Sequence, residues 1–478
     1  MSSSPNYGFL RVQGDHIVDG SGRRVSLKGT SLGGWLCMEN FMTGFPGTES
    51  AMRSALLQVL GKTDYEYFFD RFLYHFFTEK DAQFLKSLGF NCLRIPCSHK
   101  HLDDDMNPRF FVREGVGFRH LDRVINICAN AGIYVVLELH TVPGCQNPDW
   151  HSDNNTSYAA FWDFKDHQDR LVWLWKELAS IYKDNHWVAG YDPMNEPCDP
   201  QHLRLPLFYD RLIKEIRQVD PDHILFLEGN TFAMEWRGFE AIIDTPNCVY
   251  SIHDYATMGF PSAPGPYEGH QEQKEKLERQ FRRKCNFLNK HSLPIWNSEF
   301  GCPWAQPNWD PDIEALDRKK YAMIDAQLEI YERADIAAWA IWSYKDIGVM
   351  GILNASRQSP LSKLVEQLGE TKKQLHLDSA LMYPNQEIED AITPLIDWIN
   401  KHAPNASHTY PTIWNTRTHV VRNVIHSFVA NTFCEEYAQK FQGLSRNALE
   451  ELAKSFAFDQ CVQREELYSI LKKYTLKN

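Results

Sequence analysis

No stretch of this chain approaches the roughly 18 unbroken apolar residues that cross a bilayer, so no membrane-spanning helix is expected. Positive charge is scarce. Lys and Arg number 50 against 62 Asp and Glu, a formal charge of −12, which argues against nucleic acid or an anionic membrane face as the main partner. The first ten residues lack a basic stretch followed by an apolar one, so no secretory leader is expected. The 11 cysteines are an odd set with no Cys-x-x-Cys pair, which disfavours a disulfide framework or a zinc site and favours a reducing, cytoplasmic setting. Glycosylation triplets do begin at Asn154, Asn155, Asn354 and Asn405, a pattern short enough to arise by chance. No Gly-x-Gly-x-x-Gly follows an early strand, which lowers a dinucleotide-binding open sheet. Neither a repeat nor a low-complexity linker is found, and no cofactor or metal is expected.

What is present is a long alternation of apolar runs and helical periodicity. Runs reading as buried strands lie at 25–29, 91–95, 134–139, 188–193, 224–228, 248–253, 294–299 and 336–343. Helical spacing falls between them, at 118–131, 169–183, 204–219, 272–289 and 319–333. Strands alternating with helices in this way predict an α/β fold, a closed (β/α)8 TIM barrel. Residues 1–402 read as the barrel domain, with a polar insertion at 361–384 and a closing helix at 386–402. Residues 403–478 read as a C-terminal helical extension packed on the barrel, with apolar positions at helical spacing in 420–441 and 449–471.

Polar residues recur where these strands end. Arg94, His140, Asn195 with Glu196, His253 with Tyr255, Glu299 and Trp342 all fall at or just past the C-terminal ends of predicted strands. Barrel enzymes gather their reacting groups on that face. The two glutamates, in Asp192 to Pro197 and Trp296 to Gly301, stand on the fourth and seventh strands. Two carboxyls flanking one site are the requirement for cleaving a glycosidic bond. Glu196 is expected to serve as general acid and base, its pKa raised by burial and a nearby carboxylate. Glu299 is expected to be the nucleophile, kept ionised by Arg94 and the Tyr255 hydroxyl. Asn195 would meet the sugar 2-hydroxyl, His140 and His253 would hold hydroxyls or the acid, and Trp342 would floor the ring. Glu39 is a candidate for reading hydroxyls at the closed, non-reducing end, although a helix start would equally favour an acidic residue there. His99 and His101 read as surface or rim residues, and Glu138, which could face the lumen, receives no role.

These segments resemble glycoside hydrolase family 5, of the retaining clan of barrel glycosidases, over about residues 9–402. The resemblance is carried by Lys28 to Leu36, Leu93 to Pro96, Leu139 to Asn147, the two glutamate segments, His253 to Tyr255 and Ile341 to Tyr344. It implies acid/base chemistry at Glu196, a nucleophile at Glu299, and Arg94, His140, Asn195, His253, Tyr255 and Trp342 around the reacting sugar. Gly33-Gly34-Trp35 with Glu39, and Pro143-Gly144 with Gln146-Asn147, look like the exo-β-1,3-glucanase and β-glucosidase side of the family. The segment 344–351 and the tail 403–478 depart from that branch. The expectation is an exo-acting retaining β-glucosidase, its partner a β-glucoside or glucan oligosaccharide. One alternative is a hydrolase of glucosylceramide or steryl β-glucoside, with a lid of Phe45, Tyr65, Phe68, Phe69, Phe72, Tyr74 and Phe76 gripping the apolar part; these aromatics more often pack a helix. A non-catalytic glycan-binding barrel is the other alternative.

Overall fold

A computed structural model of the chain describes residues 8–103, 112–377, 380, 381, 383 and 385–476. Most of the stretch read for a leader, part of the segment 361–384 and the last two residues of the extension lie outside the described residues. Eight parallel strands close into a barrel. They are β1 (Leu27–Ser31), β2 (Cys92–Ser98), β3 (Tyr134–Thr141), β4 (Val188–Asp192), β5 (Ile224–Glu228), β6 (Cys248–His253), β7 (Ile295–Phe300) and β8 (Ala338–Ile341). Each pairs with its successor and β8 returns to β1. The predicted eight-strand order holds, with ends moved by up to three residues; Trp342 stands just beyond β8 rather than within it.

Two apolar cores explain why the strands read as unbroken hydrophobic runs. Leu27, Cys92, Val136, Phe226, Val249, Trp296, Ala338 and Ala340 fill the lower lumen. Alternate residues such as Leu93, Leu137, Leu225, Tyr250 and Ile341 face outward into the main core under the helices. Strand backbones approach closely where side chains are missing: a Cβ on Gly29 would lie 1.8 Å from the Cys92 carbonyl oxygen, and one on Gly190 2.0 Å from that of Ile224. The helices α1 (Glu49–Phe76), α2 (Glu79–Ser87), α3 (Val116–Ala131), α4 (Lys165–Tyr182), α5 (Arg204–Arg217), α6 (Gln271–Lys290) and α7 (Ile313–Arg333) surround the barrel. No helix among the described residues is long and apolar enough to cross a membrane.

The C-terminal part differs in detail from its sequence reading. Helix α8 (Gln386–His402) forms as expected. The segment 361–384, read as polar, is partly interior: Leu361, Leu364, Val365, Leu368 and Leu377 are buried. Its helical turns set Lys363, Glu366 and Glu370 outward, while Lys372 is buried and donates to the Gly44 carbonyl at 3.2 Å. Residues 449–471 are two helices, α10 (Arg446–Ala453) and α11 (Glu465–Thr475), separated by the short strand Cys461–Gln463. Helix α9 (Ala430–Gln439) and α10 cover α1, and here four of the seven aromatics of the supposed lid find their place. Phe68 packs on Phe441, Phe72 and Phe76 on Phe456, and Phe45 on Tyr437. These four glue the extension to the barrel, Tyr65 and Phe69 pack on each other beside Arg53, Tyr74 is exposed, and none of the seven lines the cavity at the barrel mouth.

Candidate active site

Two local departures from regular geometry aim the paired glutamates. Glu196 follows β4 with φ +46°, left-handed backbone that a side chain rarely adopts and that costs about 1–3 kcal/mol. Its surroundings fix that conformation. The Glu196 N–H donates to Glu228 Oε2 at 2.6 Å, and its carbonyl accepts from Asn147 Nδ2 at 3.0 Å. On β7, strict alternation from the inward Trp296 would turn Glu299 outward. Instead the register slips: Ile252 pairs with Asn297 but His253 with Glu299, and Trp339 with Asn297 but Ile341 with Phe300. The extra residue, a bulge, swings Glu299 into the lumen and sends Phe300 to the outer core.

Arg94, fully buried on β2, ties the site together. It donates to Glu299 Oε1 at 2.5 Å, to Asn195 Oδ1 at 2.7 Å and to Glu228 Oε1 at 3.1 Å. Glu138 at 3.3 Å and Asp192 at 3.5 Å complete its ring of carboxyls. Tyr255 donates its hydroxyl to Glu299 Oε2 at 2.7 Å. His253 places Nδ1 2.6 Å from Glu196 Oε1 and 3.5 Å from Glu299 Oε2, with Nε2 3.2 Å from Glu228. One oxygen of Glu196, one of Glu299 and a ring nitrogen of His253 lie within 4.8 Å of one another. His140 stands between Glu138 at 2.9 Å and Glu39 at 3.5 Å, and Trp342 stacks on its ring at 5.3 Å.

Burial works against charge here, yet the partners decide the outcome. Burial would discharge Arg94, but its carboxyl ring holds it charged far above neutrality. Burial likewise opposes a charged His140, while Glu138 and Glu39 push its pKa up to about 9. Burial pushes Tyr255 up, reinforced by Glu299, so it remains a phenol donor. For Glu196 the expected upward shift is reversed. Burial does raise its pKa, but His253 and His151 outweigh that and hold it well below the usual carboxylate range. The sequence shows the neighbouring carboxylate; it does not show one imidazole on each oxygen. Burial opposes protonation of both imidazoles, yet the carboxylates around them push their pKa values well up, so Glu196 lies between two proton donors.

All nine expected residues meet in one cavity of about 350 Å³ or directly beneath it: Arg94 lies under its floor, and the others line it. Glu39 occupies the N-cap position of the short helix Asn40–Thr43, but its side chain makes no cap and turns to His140. His99 corrects the surface reading: it follows β2 at the rim but is buried, and burial drives its pKa well down. His101 pairs with Glu49 at 3.1 Å, away from the cavity. Glu138, given no role, binds both Arg94 and His140; Glu228 and Asp192 went unread beside it. The inward parity of Glu138 and Glu228 with Val136 and Phe226 was the available signal. His151, Asp149, Phe232, Trp414 and Arg422 were missed because they come from loops and from the extension. The spacing of Glu196, His253 and Glu299 would suit a metal ion, but both Glu299 oxygens already accept from Arg94 and Tyr255, and the guanidinium would repel a cation.

Replacing Arg94 by Met leaves Glu138, Asp192, Glu228 and Glu299 without their cation. A loss of about 3–5 kcal/mol is expected in urea unfolding. An unchanged midpoint would contradict the role given to this side chain.

A sequence model described as "Cellulase (glycosyl hydrolase family 5)" matches residues 64–347. The chain belongs to glycosyl hydrolase family 5. It is 45% identical over 467 residues to a protein named Beta-xylosidase from Phanerodontia chrysosporium, covering 97% of each chain. Endoglucanase C of Acetivibrio thermocellus is 24% identical, with 62% of this chain and 92% of that one covered. Probable glucan 1,3-beta-glucosidase A of Neosartorya fischeri is also 24% identical, over 68% of this chain and 84% of that one. Among solved structures, an endogalactoceramidase shares the fold with TM-score 0.51 and 19% identity, over 71% of this chain and 75% of that one. Family 5 membership makes the chain a glycoside hydrolase acting on glycans.

Proposed function

We propose that this family 5 enzyme is a retaining, exo-acting β-glycosidase with Glu299 as nucleophile and Glu196 as acid/base. The observation that carries the reading is the approach of their oxygens to within 4.8 Å across one cavity. Double displacement calls for carboxyls about 5–5.5 Å apart, whereas an inverting pair needs about 6.5–9.5 Å for an intervening water. In the first step Glu299, aimed by Arg94 and Tyr255, attacks the anomeric carbon while Glu196 gives a proton to the departing oxygen. Glu196 draws that proton from the cluster it forms with His253 and His151. In the second step it takes a proton from water, which cleaves the glycosyl ester. The Nδ2 of Asn195, which also lies 3.4 Å from His140 Nε2, meets the 2-hydroxyl, Glu39 and His140 read hydroxyls farther in, and Trp342 lies under the ring.

The reacting sugar is proposed to be β-linked glucose. The relative named Beta-xylosidase supports xylose as the second reading, since the two sugars differ only by the C5 hydroxymethyl group. A screen of aryl β-glycosides that vary only in the sugar tests this. Hydrolysis of the glucoside is expected to exceed that of galactoside and mannoside by about 10-fold or more in kcat/KM, the scale of one hydroxyl mismatch. A xyloside faster than the glucoside would replace the first reading by the second, and no hydrolysis with measurable sugar binding would favour a non-catalytic barrel.

For the leaving group, a glycolipid remains the alternative to an oligosaccharide, now on different residues. Its apolar wall would be Phe232, Met234, Phe260, Ile413 and Trp414, which line the cavity. Comparing laminaribiose with a glucosylated sterol or ceramide separates them. We place the enzyme in the cytoplasm, a reading supported by its free and largely buried cysteine thiols.

A further inference from the structure

We propose that the C-terminal extension is a working part of this active site, with Arg422 positioning Glu196 through Asp149 and His151. The inference rests on the acid/base assignment of Glu196 made above.

Two routes run from the extension to His151. In the first, Arg422 is paired through Nη1 with Asp149 Oδ2. That same Asp149 oxygen lies 3.4 Å from His151 Nδ1, and His151 Nε2 lies 3.0 Å from Glu196 Oε2. Asp149 is itself fixed at the mouth of β3, where its Oδ1 accepts from the Trp150 N–H at 2.9 Å and its own N–H donates to Asn147 Oδ1 at 3.0 Å. In the second route the contacts are rings. Arg422 lies over Trp414 at 4.9 Å, Trp414 packs on Phe232 at 5.7 Å, and Phe232 meets His151 at 6.1 Å. Both routes converge on the imidazole that faces the second oxygen of the acid/base.

The charges agree with the geometry. Burial opposes ionisation of Asp149, yet Arg422 and His151 draw its pKa far down; burial also opposes His151 protonation, yet Asp149 and Glu196 push it well up. Arg422, Asp149 and His151 therefore stand as an alternating row of charge ending at Glu196. His253 holds Oε1 from the opposite side, so a carboxyl on strained backbone is gripped at both oxygens. Without Arg422, Asp149 Oδ2 loses its cation, and only the Trp150 N–H on Oδ1 still holds the carboxylate that orients the imidazole. The consequence is loss of proton delivery to the leaving group, with no effect on attack by Glu299.

That distinction can be measured. Glycosides of the preferred sugar are compared, one carrying 2,4-dinitrophenolate, which departs without a proton, and one carrying phenolate, which needs it. Expected for Arg422→Gln is a fall in kcat/KM of about 10- to 100-fold on the phenyl glycoside, the scale of a misplaced catalytic group, with the dinitrophenyl glycoside changed by less than about threefold. Asp149→Asn should repeat the pattern, and Arg422→Lys should restore part of the loss. Equal losses on both substrates, in variants whose thermal unfolding matches the parent, would overturn the inference, as would no loss on either. A parent enzyme indifferent to the leaving group's need for a proton would instead sink the assignment of Glu196.

Discussion

Replacing Glu299 with Gln is expected to abolish turnover, with kcat falling on the order of 10⁴-fold or more, as when other covalent nucleophiles are removed. Glutamine keeps the size of the side chain and its contact with Tyr255. It cannot form the glycosyl ester, and it presents an amide where Arg94 now meets a carboxylate 2.5 Å away. The parent enzyme treated with a 2-fluoro-2-deoxy glycoside bearing a good leaving group should gain the mass of one fluoro-sugar. Fluorine beside the anomeric carbon destabilises the oxocarbenium-like transition states, and the good leaving group lets the ester form faster than it breaks down. Peptide mapping should place that mass on Glu299. Label on Glu196 or Glu228 instead, or a Glu299→Gln enzyme with parental kcat, would reject the assignment. Glu228 is the instructive control, because it too is buried against Arg94, yet its second oxygen is committed to the Glu196 backbone N–H.

The second large effect concerns Glu196. Its replacement by Ala should lower kcat/KM by about 10²–10⁴-fold on glycosides whose leaving group must be protonated, the usual worth of general acid catalysis. Dinitrophenyl substrates should still form the ester and then stall, because no base activates water. Added azide, which needs no base, should restore turnover and yield the β-glycosyl azide in the space the carboxyl vacates. An α-azide would point to a single displacement, and no rescue at all would point to a collapsed site. His253 and His151 remain in that variant, so retained activity on poor leaving groups would mean that an imidazole can deliver the proton unaided.

The barrel could be read from the chain because its signals are local. A strand buried on both faces must be apolar throughout, and the helices between the strands carry their own periodicity. Those two constraints sit within a few residues and do not depend on distant partners. The same locality made the ends of β4 and β7 conspicuous, since a buried strand seldom finishes in Asn-Glu or Asn-Ser-Glu. Arg94, His140 and His253 were legible for that reason too, each a polar group at the close of an apolar run.

The direction in which Glu299 points was not legible. Alternation along β7 puts it on the outer face, and only the slip in register against both neighbouring strands brings it inward. Strand pairing fixes that slip, and pairing involves residues far apart along the chain. The charge state of Glu196 likewise depends on His151 and His253, which reach it from the turn at 150–152 and from the end of β6. The aromatics of α1 could be recognised as apolar, but whether they face a ligand or another helix was decided by the docking of α9 and α10. Arg422 also lies beyond local reading, since it meets Asp149 across 273 positions of chain. Residue types and their periods are properties of neighbouring positions and fix the barrel; contacts that set protonation and aim arise only when remote segments are packed together, and these make the cavity a site.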